Sequence, residues 1–383
     1  MNRQSLNFLV LSVAVLSGPE LTWSTENDIA FRTHTLDAMS EYSACAAIDV
    51  NRDGMLDIFC GGWWYESPSW KKHFVRQVRK IRGRYDGYSH LPLDVDNDGW
   101  IDVVNVNWRS ESLYWVKNPG TSDTEWIRVI IAQPGGMETG RLIDVDDDGV
   151  LDILPNGVHF AAWWKRITKG NHYQWIRYDL PEEIAAHGIG FGDLNNDNRG
   201  DVIGPHGWLE APVDRQQGKW LWHQEYHLHP DTSIPILVQD VDDDGDNDLI
   251  WARGHHYGVY WLEQRLSQTG HRIWVTHTID SSWSQGHSLL WADLDGDTHP
   301  EVITGKRYMA HEGRDPGARD PLVIYRYQYD PERHDWTRHT ITSGGSVGFG
   351  LDPKVIDLDD DGDLDLVVSG RSGLYWIENL LHP

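Results

Sequence analysis

The sequence predicts an all-β chain, a seven-bladed β-propeller, and three observations carry that prediction. An acidic loop of the form DxDxDGxxD recurs seven times, starting at Asp49, Asp94, Asp144, Asp193, Asp240, Asp293 and Asp357. Successive copies lie 45 to 64 residues apart, a spacing that suits one blade per repeat. After each loop comes a short apolar run bounded by Gly or Asn, such as Ile101-Asp102-Val103-Val104, Leu249-Ile250-Trp251 or Leu366-Val367-Val368, as a strand should be.

Read through once, a repeat gives four strands. Strand A ends at the acidic loop, B follows it directly, C carries an aromatic pair and D a recurring Trp. In the second copy these fall at residues 90–93, 101–106, 113–116 and 126–131. Strand C recurs as Leu113-Tyr114-Trp115, Val259-Tyr260-Trp261 and Leu374-Tyr375-Trp376; strand D recurs as Trp175-Ile176-Arg177, Trp274-Val275-Thr276 and Trp336-Thr337-Arg338. Most of the 21 Trp sit at such repeat positions, so packing between blades accounts for them better than sugar stacking does. The seventh repeat ends after strand C, at Ile377-Glu378-Asn379. Near the N-terminus, Phe31-Arg32-Thr33-His34-Thr35-Leu36 resembles the strand D Trp336-Thr337-Arg338-His339-Thr340-Ile341. This segment is expected to complete the last blade and close the ring, so that residues 25–383 form one domain.

Each loop offers oxygen ligands at positions 1, 3, 5 and 9. In chain order these are Asp49, Asn51, Asp53 and Asp57; Asp94, Asp96, Asp98 and Asp102; Asp144, Asp146, Asp148 and Asp152; Asp193, Asn195, Asp197 and Asp201; Asp240, Asp242, Asp244 and Asp248; Asp293, Asp295, Asp297 and Glu301; and Asp357, Asp359, Asp361 and Asp365. Hard, closely spaced carboxylates suit calcium, and up to seven structural Ca2+ are expected. An EF-hand shares the first half of this motif but needs flanking helices and a Glu at position 12, whereas these flanks read as strands. The fourth loop, with Asn195 and with Asn198 in place of Gly, and the sixth, with Thr298 in place of Gly and Glu301 at position 9, depart most from the pattern.

The formal charge is −26, and seven bound calcium ions would offset more than half of it. The acidity is therefore read as metal ligation, not as a docking surface. No basic stripe is present and a phosphate backbone would be repelled, so nucleic acid is excluded as a partner. Arg3, the apolar stretch 6–16 and Ser17-Gly18-Pro19 read as a secretory signal peptide over roughly residues 1–24, with a buried first strand as the alternative. A secreted or periplasmic address would supply the calcium that weak loop sites need. No segment is long and apolar enough to span a membrane. The two cysteines, Cys45 and Cys60, flank the first loop on strands expected to pair, and a single cross-strand disulfide is open to them. The sequence sets no oligomeric state.

If strand A runs to the acidic loop, its start and the B–C loop share the opposite face, where chemistry should be sought. His187 and His287 each lie six residues before their first loop Asp, and His90 lies four before, on the same side of an alternating strand. Glu138 and Arg141 occupy that place in blade 3. The B–C loops add His159, His206, Arg253, His255, His256, Lys306, Arg307, Tyr308, His311 and Arg371, and the sixth carries an insertion at residues 309–317. Three histidines from separate blades meeting on one axis would bind a transition metal such as Zn2+ or act as a proton-transfer set. The basic entry Gly305-Lys306-Arg307-Tyr308 suits an anionic or polyhydroxylated substrate.

No GxSxG, HExxH or phosphate-cradling glycine loop is present, which lowers acyl and phosphoryl transfer. A histidine base beside a cation favours β-elimination next to a carbonyl or carboxylate. The expected catalytic set is His90, His187 and His287, with Arg141 steadying the anion. The alternative is a non-enzymatic propeller that binds a glycan or protein on the same rim. A glycoside hydrolase ranks third, because Glu138 is the one rim acid to nominate.

The repeats resemble the FG-GAP/VCBS family of calcium-binding propeller blades, which implies the same fold and loop metal. Gly136-Met137-Glu138-Thr139-Gly140-Arg141-Leu142, Ala186-His187-Gly188-Ile189 and the run Gly286-His287-Ser288-Leu289-Leu290-Trp291-Ala292-Asp293 resemble the propeller domain of the aldos-2-ulose dehydratases. The cupin domains of those enzymes have no counterpart in this sequence, so any isomerase step they carry is not implied. In size and architecture the chain is also similar to single-domain propeller lyases acting on uronic-acid glycosides, such as the fungal rhamnosyl-glucuronate lyases. Both resemblances imply elimination on a sugar.

Overall fold

Seven four-stranded antiparallel sheets follow one another along the chain, in a computed structural model that describes residues 29–121, 124–169 and 172–382. Blades 1 to 6 occupy residues 46–74, 89–132, 137–179, 190–223, 237–284 and 286–343. Blade 7 combines Lys354–Ile356, Asp365–Gly370 and Gly373–Asn379 with Phe31–Asp37, which pairs antiparallel to Gly373–Asn379 from Phe31↔Asn379 onward. The last blade is thus closed by the first strand of the described chain. In blade 2 the strands are Ser89–Leu93, Asp102–Val106, Leu113–Lys117 and Ile127–Ala132, within a residue of the expected bounds. The A strands of neighbouring blades touch one another and line the axis. The expected signal peptide falls outside the described residues.

The acidic loop explains why strand B starts where it does. Its position 9 acid is the first residue of B, fully buried in every blade. That carboxylate accepts the backbone N–H of loop position 2: Val50 to Asp57 at 3.0 Å, Val95 to Asp102 at 3.0 Å, Val145 to Asp152 at 3.1 Å, and likewise round the ring. In most blades its other oxygen accepts an N–H from the end of strand C, as from Asn118 to Asp102 at 2.8 Å. The position 1 Asp accepts from positions 5 and 6, as Asp94 does from Asp98 at 3.1 Å and Gly99 at 2.9 Å. Asn198 (φ 63°) and Thr298 (φ 75°) take the left-handed conformation that Gly99 takes (φ 85°), so loops 4 and 6 keep the same backbone despite losing the glycine.

Trp64, Trp163, Trp208, Trp251 and Trp261 are buried, and clusters such as Ile203, Trp208, Leu249 and Trp251 span blades 4 and 5. Blade packing accounts for these rings. Cys45 and Cys60 are buried free thiols, so no disulfide joins them. Two additions decorate the face opposite the loops. A hairpin, Lys80–Ile81 with Arg84–Tyr85, sits between blades 1 and 2, and the blade 6 insertion carries a short turn, Ala310–Gly313.

Candidate active site

His187 and His287, at the starts of their A strands, do meet, but their third partner is His255 of the blade 5 B–C turn. One ring nitrogen of each lies within 4.8 Å of one from both others. Ring centroids are 5.0 Å apart for His187 and His287, 5.1 Å for His187 and His255 and 5.8 Å for His255 and His287, all steeply tilted. Gly254 makes this approach feasible: an added Cβ would stand 3.0 Å from His287 and 3.4 Å from His187.

The hydrogen bonds fix one tautomer. His187 Nδ1 donates to the Thr232 carbonyl at 2.9 Å, so its Nε2 is an acceptor. His255 Nδ1 lies 3.1 Å from both the Asp315 carboxylate and Arg307 Nη2, and Arg307 Nη2 also donates to the Gly254 carbonyl at 3.0 Å. The Nε2 atoms of His187 and His255 face each other at 3.4 Å. Neither nitrogen of the fully buried His287 has a hydrogen-bond partner, and its Nε2 lies 3.8 Å from Glu138 Oε2.

A shared proton is disfavoured here. Burial holds all three imidazoles below their ordinary range, His255 down to about 2, and the Arg307 cation adds to the effect. Arg307 is itself pushed down to about 10 by burial, with Glu138 opposing, and stays charged at neutral pH. Neutral imidazoles with free Nε2 atoms are metal ligands, and a tetrahedral ion with bonds of about 2.0–2.1 Å sets its donors about 3.4 Å apart.

A roof crosses the mouth of the axis. Arg84 of the hairpin pairs with Glu312 of the insertion at 2.8 Å, and Arg371 donates to the Met309 carbonyl at 3.0 Å. Beneath it Asp315 bridges two histidines, since His311 Nδ1 lies 2.9 Å from its second oxygen. His311 stacks on His255 at 4.5 Å and is half exposed, which leaves its Nε2 facing outward from the carboxylate.

Other expected site residues land elsewhere. His90 does not join the cluster: its ring meets Phe59 edge-on at 5.0 Å and its backbone N–H donates to Asp352 at 3.0 Å. Lying four residues before its loop instead of six, it sits about 7 Å nearer the acidic end. Arg141 reaches across the axis to Asp352 (3.4 Å) and the Ile234 carbonyl (3.3 Å), so the cation beside the histidines is Arg307. Lys306 is fully buried on Ser284 Oγ at 3.0 Å and cannot meet a substrate there. His159 and His256 are exposed, His206 lies 5.7 Å from His227, and Tyr308 is exposed; none of these rings touches the cluster. Residues that sequence reasoning did not nominate are Asp315, Asp352, Gly254 and Tyr88, whose hydroxyl accepts from Arg109 at 3.3 Å. Asp315 had a signal, four places after His311 within the insertion.

Asp94, Asp96 and Asp102 of blade 2, Asp144, Asp146 and Asp152 of blade 3, and Asp240, Asp242 and Asp244 of blade 5 each bring ligand oxygens within 4.8 Å of one another, as a hard cation requires. In blades 2 and 3 a lysine ammonium is already bonded to the position 3 and 5 carboxylates: Lys117 to Asp96 and Asp98, Lys165 to Asp146 and Asp148.

Comparison with known proteins agrees with this architecture. The FG-GAP-like repeat matches residues 94–154 and 240–304. Curated proteins give no sequence match. Among solved structures, the exotype rhamnogalacturonan lyase YesX is similar at 11% identity and a TM-score of 0.51, over 92% of this chain and 73% of that one. The rhamnogalacturonan lyase YesW is similar at 13% identity and a TM-score of 0.50, with the same coverage of each. The chain is a seven-bladed β-propeller in which FG-GAP-like repeats are recognised at residues 94–154 and 240–304.

Proposed function

We propose that the chain is a secreted carbohydrate lyase that carries out β-elimination on a keto-sugar or a uronic-acid glycoside at the histidine face. The observation that carries this reading is the convergence of His187, His255 and His287, with one ring nitrogen of each within 4.8 Å of the others and His287 otherwise unpartnered. Two structural relatives named as rhamnogalacturonan lyases are compatible with a uronide substrate but supply the fold alone. His187, His255 and His287 would hold a transition metal such as Zn2+. Bound there, that ion supplies Lewis acidity toward a carbonyl or carboxylate oxygen.

His311 is the base. Asp315 holds its Nδ1, so Nε2 is free to take the proton from the carbon next to the carbonyl or carboxylate. The electrons released form the carbon–carbon double bond as the β carbon–oxygen bond breaks, and the departing oxygen receives the proton. Arg307 provides fixed positive charge beside the developing oxyanion. His90 and Arg141, expected to share these tasks, are tied to Phe59 and Asp352.

Elemental analysis of the purified chain, before and after His187→Ala and His287→Ala, tests the site, and ultraviolet absorbance of unsaturated product from keto-sugars and uronides tests the reaction. The reading expects about one transition metal per chain, lost in both variants, and product formation that His311→Ala abolishes. Elimination undiminished in folded His255→Ala and His311→Ala proteins would sink it. Saturable glycan binding with no unsaturated product would favour the non-enzymatic binding propeller.

A further inference from the structure

One strand C position, two residues past the central aromatic, faces the acidic loop and divides the blades into two groups. In blades 1, 4, 5 and 7 it is Glu66, Glu210, Glu263 and Glu378. Each pairs with a strand D imidazole, His73, His223, His277 or His34, at 2.6 to 2.8 Å. That imidazole in turn stacks on the strand C Trp, with centroids 4.2 to 4.5 Å apart. The Glu stands beside loop position 3, as where Glu66 and Asn51 line one cleft.

In blades 2 and 3 the same position is Lys117 and Lys165, each bonded to the carboxylates at loop positions 3 and 5. Blade 6 reaches the same end differently. Arg326 replaces the Trp and, 1% exposed, bonds Asp295 at 2.7 Å and also Glu301, while Gln328 donates to Asp297 at 2.8 Å.

We infer that Lys117, Lys165 and Arg326 take the place of the metal in blades 2, 3 and 6, so that these three loops bind no calcium. Calcium needs its oxygens at about 2.3–2.6 Å, and the carboxylates at positions 3 and 5 are half of the side-chain ligands a loop has. A cationic nitrogen bonded to two of these ligands, positions 3 and 5 for Lys117 and Lys165 and positions 3 and 9 for Arg326, competes with the ion for the same oxygens. The glutamate blades do the reverse: they add a carboxylate, oriented by a histidine, to a loop already rich in them. Loop 4 is the poorest of that group, because Arg199 bonds Asp197 and lies 3.8 Å from Glu210. The seven ions expected from the loop motif therefore fall to four at most, and most of the formal −26 charge is left without metal compensation.

The test is a calcium count on the full chain, by equilibrium dialysis and calorimetry with calcium alone. The wild-type chain is expected to bind four ions or fewer; five or more overturns the inference. Lys117→Glu and Lys165→Glu, which copy the glutamate blades, should each gain one ion, and a folded variant with an unchanged count overturns it as well. If neither folds, Glu263→Lys brings the blade 2 pattern into blade 5 and should lose one ion; an unchanged count there is equally fatal.

Discussion

Replacing Gly254 by Ala tests whether the three imidazoles converge for a purpose. The new Cβ would stand 3.0 Å from His287 Cδ2, 3.3 Å from the Asp231 carbonyl and 3.4 Å from His187 Cε1. Carbon pairs rest at about 3.5–4.0 Å, so His287 must retreat by roughly 0.5 Å, and the carbonyl behind blocks the opposite escape. Overpacking of this kind costs about 1–3 kcal/mol of stability, which a propeller of this size tolerates. Metal geometry tolerates only about ±0.2 Å, so the displacement should weaken transition-metal affinity about 10–100-fold, comparable to losing an outer hydrogen-bond partner. The measurement is Zn2+ affinity by competition with a chromophoric chelator, run beside a thermal melt. A folded Gly254→Ala protein with wild-type zinc affinity would refute the convergence argument, because no ion bound by all three rings could ignore that shift.

Two other perturbations follow from single residues. Asp102→Ala should cost roughly 2–6 kcal/mol in urea unfolding, because it strands the buried N–H groups of Val95 and Asn118, now bonded at 3.0 and 2.8 Å; a loss below about 1 kcal/mol contradicts the loop mechanics. Lys306 is held down from 10.5 to about 8 by burial. Between those values the unfolded chain carries the extra proton, so this group makes stability rise with pH, by about 3 kcal/mol across the window. Lys306→Met should flatten that part of the profile relative to wild type, and parallel profiles would contradict the assignment.

The ring was legible because one pattern repeats with its mechanics intact. The position 9 acid starts strand B and clamps the loop whether the glycine is present or, as at Asn198 and Thr298, replaced. His187 and His287 were legible from strand alternation, since inner strands aim alternate residues at the axis. Alternation also nominated His90, and there it misled, because it reports the side of a strand and not the depth along it. The identity of the third ligand needed the fold of a turn: His255 is aimed by Asp315 of another blade and by the Asp231 carboxylate that accepts its backbone N–H at 3.3 Å. Four other histidines serve the blades themselves. His34, His73, His223 and His277 are strand D partners of Glu and Trp, far from any rim role. Lys117 and Lys165 were invisible as metal substitutes because the motif lies within the loop and its occupant comes from strand C.

The two chemistries are insulated from each other by the length of a strand. His287 stands six residues before Asp293, which in extended chain is about 20 Å. Across that distance one elementary charge is worth about 0.8 kcal/mol at an effective dielectric of 20, before salt. A Debye length of about 8 Å at physiological ionic strength cuts this below about 0.1 kcal/mol for the solvent-facing loop carboxylates. Filling the loops with calcium should therefore raise the melting temperature through the loops alone. Zinc affinity at the histidines and the pH profile of any elimination should change by less than twofold between calcium-free and calcium-saturated protein. A tenfold change, which corresponds to about 1.4 kcal/mol, would mean that the A strands transmit a structural shift from loop to cluster, and the two ends would have to be treated as one coupled site.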